Sequence, residues 1–158
     1  MPVSMHTTAQ PFLVAFLFIS CVEFIVAPGL FFDAKYSFHV DDLHDLRLLL
    51  ECVECSDVLV LLQSKGVLSR PWVIMELYTA CTHGVPIVAL NVQNANPYNY
   101  AAASNFLMNF DRDIDIANPG AAQLLIDHGV EPLDCAYLLS ETLPNIISVA
   151  FNPNGSAR

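Results

Sequence analysis

Between residues 41 and 92 the spacing of apolar side chains changes period twice. Leu43, Leu46, Leu49, Leu50 and Val53 recur at steps that build one helical stripe, and Asp41 or Asp42 can cap a helix running to about Cys55. Ser56-Asp57 ends that pattern. Val58-Leu59-Val60-Leu61-Leu62 follows as a continuous β-compatible run, the kind that a parallel sheet buries on both faces. Gln63 to Arg70 then reads as a loop containing Gly66. Ser69 is the predicted cap of a second helix reaching about Thr82, and its early Pro71 is tolerated because first-turn amides have no intrahelical partner. Gly84 suits a helix C-cap, and Ile87 to Val92 after Pro86 reads as a second strand. Two apolar strands joined by one helix predict parallel pairing with a right-handed crossover. In such α/β sheets ligands bind at the carboxyl edge.

Beyond residue 92 the pattern weakens. Residues 93–100, rich in Asn and carrying Pro97 and two tyrosines, read as a loop, and Ala101–Phe110 and Gly120–His128 as short helices separated by Asn118-Pro119-Gly120. Asp111, Asp113 and Asp115 alternate with Arg112, Ile114 and Ile116. A calcium loop would need Gly and an acid where Ile116 and Ala122 stand, so this stretch reads as a solvated acidic loop. Leu133–Leu143 is predicted helical, Pro144 interrupts, Asn145–Phe151 is a short apolar run, and 152–158 reads as a frayed end.

At the other end, Pro11 to Phe32 is apolar except at Ser20, Glu23 and Pro28-Gly29, and it admits three readings. Phe12–Ile19 suits a buried strand. The whole stretch is long enough for a membrane anchor, although a carboxylate near its middle costs roughly 2.5–3.5 kcal/mol on insertion scales. A signal peptide fits worst, because no Lys or Arg precedes the run and cleavage after Ala27 would leave Pro28 first.

Composition narrows the classes. A chain of 158 residues with 54% hydrophobic and 14% charged residues is too apolar for intrinsic disorder and has the size of one domain. Six Lys and Arg against sixteen Asp and Glu give a net charge of −10, which argues against nucleic acid as a partner. Five cysteines, an odd number in a chain able to build an apolar core, read as reduced thiols, and the Cys52-x-x-Cys55 pair has no second pair at zinc-site spacing. His39, His44, His83 and His128 are not at ligand spacing, so no metal or cofactor is expected.

One residue stands out chemically. Glu76 lies among Val73, Ile74, Met75 and Leu77, on a helical face with Trp72, Thr79, Ala80 and His83. Either it is solvated and pairs with Arg70 or Lys65, or it is partly desolvated with a raised pKa.

Residues 56–92 resemble the middle of a TIR (Toll/interleukin-1 receptor) domain. The resemblance rests on Ser56 before the strand, Ser69 closing the loop, Trp72 and Glu76 four apart at the start of the helix, then Ala80, Gly84 and Pro86. It extends backward through Phe38–Leu43, as a second strand and shortened loop, and forward to about Phe151. It implies a flavodoxin-like open parallel sheet with flanking helices over 36–151, the hydrophobic segment 1–35 supplying a first strand or an anchor. It also implies signal transduction, of the innate-immunity kind, through association with like or unlike TIR domains, in the cytoplasm or tethered to a membrane through 11–32. In TIR domains that hydrolyse NAD+, the residue matching Glu76 is the catalytic carboxylate. Ser69 and Trp72 then become substrate-binding candidates, with Trp72 equally suited to packing the helix against the sheet. NAD+ enters as substrate. The sequence departs from the family in its amino-terminal half: the opening strand falls to Phe16–Ser20, only residues 21–37 separate it from Phe38, and the loop after Val40 lacks the usual Pro or Gly. A degenerate, inactive domain is the alternative implied by that departure.

Overall fold

A computed structural model describes residues 14–16, 46–93 and 97–152. Four strands, β1 (Val14–Phe16), β2 (Val58–Gln63), β3 (Ile87–Val92) and β4 (Ser148–Phe151), form one sheet in the order β1-β2-β3-β4. Every neighbouring pair is parallel, with Val14 opposite Val58, Gln63 opposite Asn91 and Val92 opposite Phe151. Six helices accompany the sheet among the described residues: α1 (Leu46–Glu54), α2 (Pro71–His83), α3 (Tyr100–Met108), α4 (Phe110–Ala117), α5 (Ala121–Asp127) and α6 (Pro132–Thr142). The chain therefore has an α/β fold with a parallel sheet and flanking helices. Strand β1 lies inside the predicted strand Phe12–Ile19. The rest of the segment 1–35, the second-strand candidate Phe38–Leu43 and the helix cap at Asp41 or Asp42 lie outside the described residues. No helix among the described residues is long and apolar enough to cross a membrane.

The central unit follows its sequence pattern. Strand β2 buries Leu59, Leu61 and Gln63 toward one face and Val60 toward the other, as an interior parallel strand requires. Helix α1 stops where the Ser56 hydroxyl donates to the Cys52 carbonyl at 2.6 Å, satisfying one of the carbonyls left open at a helix end. Helix α2 ends at Gly84, whose φ of 70° is the left-handed conformation that a Cβ disfavours. Its amide donates to the Ala80 and Cys81 carbonyls, and Val85 N donates to Ala80 O at 2.8 Å with the Val85 side chain buried beneath the turn.

Two expectations are corrected. Ser69 does not cap α2. A short 3-10 turn occupies Val67–Ser69, the Ser69 hydroxyl donates back to the Gly66 carbonyl at 2.8 Å, and the extended residue Arg70 is the cap, with Pro71 in the first helical position. The stretch expected as an acidic loop is helix α4. Phe110 and Ile114, four residues apart, are both fully buried, and Asp111 and Asp113 fall in the first turn, where the helix dipole favours negative charge. The Asp115 carboxylate then accepts from Ala122 N at 2.9 Å across the turn into α5.

The core joins the six helices to β2. Val53 of α1, Ile74 and Leu77 of α2, Leu107 of α3, Phe110 and Ile114 of α4, Leu125 of α5 and Cys135 and Leu139 of α6 belong to one apolar cluster with the sheet residues Leu59 and Leu61. Helix α6 touches α2, α3, α4 and α5 and so ties the long β3 to β4 connection to the β2-α2-β3 unit. If α4 is a packed helix, Ile114→Ala will lower unfolding stability by about 2–5 kcal/mol in urea titration. Ile116→Ala, at a side chain 74% exposed, will stay within about 0.5 kcal/mol. Equal effects at the two positions would return the segment to a loop.

Candidate functional site

The loops after β2 and β3 both leave from the carboxyl edge of the sheet, and α2 and α3 begin there. Helix α2 carries the sequence-predicted residues. Trp72, in its first turn, is half-buried and meets His128 edge-on, with ring centroids 5.6 Å apart, so its ring joins α2 to the end of α5. Ser69, half-buried just before the helix, spends its hydroxyl on the Gly66 turn. His83, at the far end of the face, lies 3.6 Å from a Glu54 oxygen on α1, and its other ring nitrogen meets the Thr79 carbonyl.

Glu76 lies between these ends and is 1% exposed. It is the single buried carboxylate among the described residues, and its Oε2 is enclosed with no hydrogen-bond partner. The solvated pairing with Arg70 or Lys65 is therefore not what forms, since Glu76 enters no ion pair among the described residues. Val73, Ile74, Met75 and Leu77, all buried, surround it in the chain. Removal from water disfavours the charged form, and burial pushes the Glu76 pKa up to about 8. At neutral pH the side chain is mostly the neutral acid. No hydrogen bond among the described residues links Glu76 to Ser69 or Trp72, which share its neighbourhood in sequence without converging on it.

A second polar group of residues was not legible beforehand. Gln63 ends β2, Asn91 lies opposite it in β3, and Tyr100 opens α3. Asn91 Nδ2 donates to the Tyr100 hydroxyl at 2.8 Å, and that hydroxyl donates to Gln63 Oε1 at 3.3 Å. The second contact spans 37 positions in sequence. Only the strand register reveals it, and the two tyrosines in the Asn-rich stretch were the available signal. Among the described residues no group of three or more His, Cys, Asp or Glu side chains could hold a metal ion, and Cys52, Cys55, Cys81 and Cys135 are free thiols.

The buried acid gives stability a definite pH dependence. Its folded pKa, about 8, lies above the ordinary value of 4.5, so between those values the folded chain holds a proton that the unfolded chain has released. Unfolding free energy should therefore fall with rising pH through that window, by at most about 1.4 kcal/mol per pH unit from this group, and level off above pH 8. Glu76→Gln removes the contribution, so the difference between variant and parent should grow from pH 5 to pH 8 in denaturant titrations. Parallel profiles would show that Glu76 is ionised in the folded protein.

Comparison with protein-family models, curated proteins and solved structures finds no match for the chain.

Proposed function

We propose that this chain is a TIR-type signalling module that associates with other TIR domains, and that Glu76 is the carboxylate with which it cleaves NAD+. The observation that carries this reading is the setting of Glu76: the single buried carboxylate among the described residues, with an unfilled oxygen, in the second turn of the helix that begins at the carboxyl edge of a parallel sheet. Strongly desolvated acids without a partner are expensive to keep, and they concentrate where chemistry needs them.

Strand order supports the finer, flavodoxin-like layout. The flavodoxin-like order is 2-1-3-4-5. The observed β1-β2-β3-β4 is that order with the second strand set aside, and the sequence candidate for the second strand, Phe38–Leu43, falls outside the described residues. The excess of acidic residues favours a more basic partner surface, consistent with association between unlike TIR domains in the cytoplasm.

The reaction asks little of the protein beyond charge and position. The bond between C1′ of the ribose and the nicotinamide nitrogen breaks, its electron pair leaves with nicotinamide, and C1′ becomes an oxocarbenium ion. A carboxylate beside the ribose stabilises that cation until water adds to C1′ and releases a proton, giving ADP-ribose. The positive pyridinium of NAD+ also favours the ionised form of Glu76 when it arrives.

Purified protein at high concentration should release nicotinamide from NAD+, and Glu76→Ala should reduce the rate about a hundredfold or more, the scale on which a single stabilising group acts. Absence of release by a chain that is folded by circular dichroism would remove the enzymatic half of the proposal and favour an inactive interaction domain.

A further inference from the structure

We infer that residues 17–32 of this chain dock on the second face of its own parallel sheet. Side chains two apart on a strand, and register partners on parallel neighbours, point to the same side. Leu62, Leu90 and Val149 therefore form one row across β2, β3 and β4, flanked by a row of Val60 with Val88 and a row of Val92 with Phe151. Every position in these rows is apolar. The cluster that gathers the six helices takes Leu59, Leu61 and Ile87 from the opposite side of the sheet, and no residue of the three rows belongs to it. Val60 is 8% exposed, but exposure rises across the sheet to 41% at Val88 and 56% at Val149. Parallel sheets are covered on both faces, since their continuous apolar strands leave neither side suited to water. Here the described helices gather on one face.

The chain supplies one segment suited to that face. Residues 11–32 form an apolar run long enough for a membrane anchor, but Val14–Phe16 of that run are strand β1. What remains after the strand is residues 17–32, 16 positions, fewer than the roughly 17–25 that a spanning helix needs. The one charged residue among them, Glu23, is costly in the middle of a bilayer, whereas the rim of a sheet face opens to water. The segment follows β1 directly, and β1 is the neighbour of β2, so it starts at the border of the face it covers. Five residues of strand measure about 16 Å, and 16 residues reach about 24 Å even when coiled as a helix. The length therefore suffices to cross the rows. A second copy of the chain is a poorer occupant, because a net charge of −10 on each copy opposes self-association. This inference stands apart from NAD+ cleavage, because it uses no residue of α2, and it replaces the membrane tether as the reading of the apolar run.

Hydrogen exchange of the whole chain in lipid-free buffer, read by mass spectrometry, tests it. Residues 17–32 are expected to exchange at least about tenfold more slowly than in the urea-unfolded chain, at a rate independent of protein concentration. Val149→Asp places a charge on the face and should return the segment to the unfolded rate while α2 stays protected. Val88→Asp, on the same face in β3, is the second variant should the first fail to fold. Ile116→Asp, an equally drastic change at an exposed position of α4, should leave the segment protected. Adding phosphatidylcholine vesicles should change nothing, and the chain should not float with them. Rapid exchange of the segment in the folded parent, or protection unchanged in a folded face variant, overturns the assignment. So does protection that arises only with vesicles, which makes the membrane the occupant, or only above the concentration at which sedimentation shows a dimer, which makes it a second copy.

Discussion

Helix α2 has no solvent face through its middle. Val73, Ile74, Met75, Glu76 and Leu77 run consecutively through more than a full turn, and all five are buried, so the helix needs neighbours on every side. Helices α1, α5 and α6 supply them, and the strands on either side of α2 in sequence join it to the sheet. Cutting any of these contacts exposes a wide apolar surface at about 25 cal/mol per Å². The packing of the long β3 to β4 connection, through α6 in particular, is therefore part of what makes the β2-α2-β3 unit a stable core.

The same burial explains the chemistry of Glu76. A surface carboxylate in this helix would be solvated, and its pKa would say little. Buried and left with one oxygen unpartnered, it resists ionisation. The helix accommodates it at neutral pH because the acid form is neutral, which replaces the large penalty of an unpaired buried charge by the smaller one of an unfilled polar atom.

Much of this was legible in the sequence wherever one period dominated. The runs Val58–Leu62 and Ile87–Val92, the helix between them, and the Gly84 stop were each marked by local pattern, whereas for Glu76 the sequence left a solvated and a desolvated reading both open. Helix α4 was hidden because Asp111, Asp113 and Asp115 impose a period of two on a segment whose buried positions, Phe110 and Ile114, are only two in number. The Ser69 cap failed for a different reason: a serine hydroxyl can serve the preceding turn as readily as the following helix, and here it bonds Gly66. The amide and tyrosine cluster could not be read at all, because it depends on the register that sets Gln63 opposite Asn91 and on where α3 begins.

Burial of the acid and the proposed role in stabilising a cation are compatible, because the medium that penalises a lone charge also strengthens its attraction to an opposite one. Burial raises the cost of ionising Glu76. In an environment of low dielectric, the attraction between the resulting carboxylate and an oxocarbenium ion a few ångströms away is several times what it would be in water. The same lack of partners that raises the pKa leaves Oε2 uncommitted, so no hydrogen bond has to be broken before that oxygen faces a substrate. The proposed catalytic step therefore needs a path for NAD+ to reach the second turn of α2. Once the ribose is there, the apolar surroundings that penalise the free carboxylate strengthen its hold on the positive charge developing at C1′.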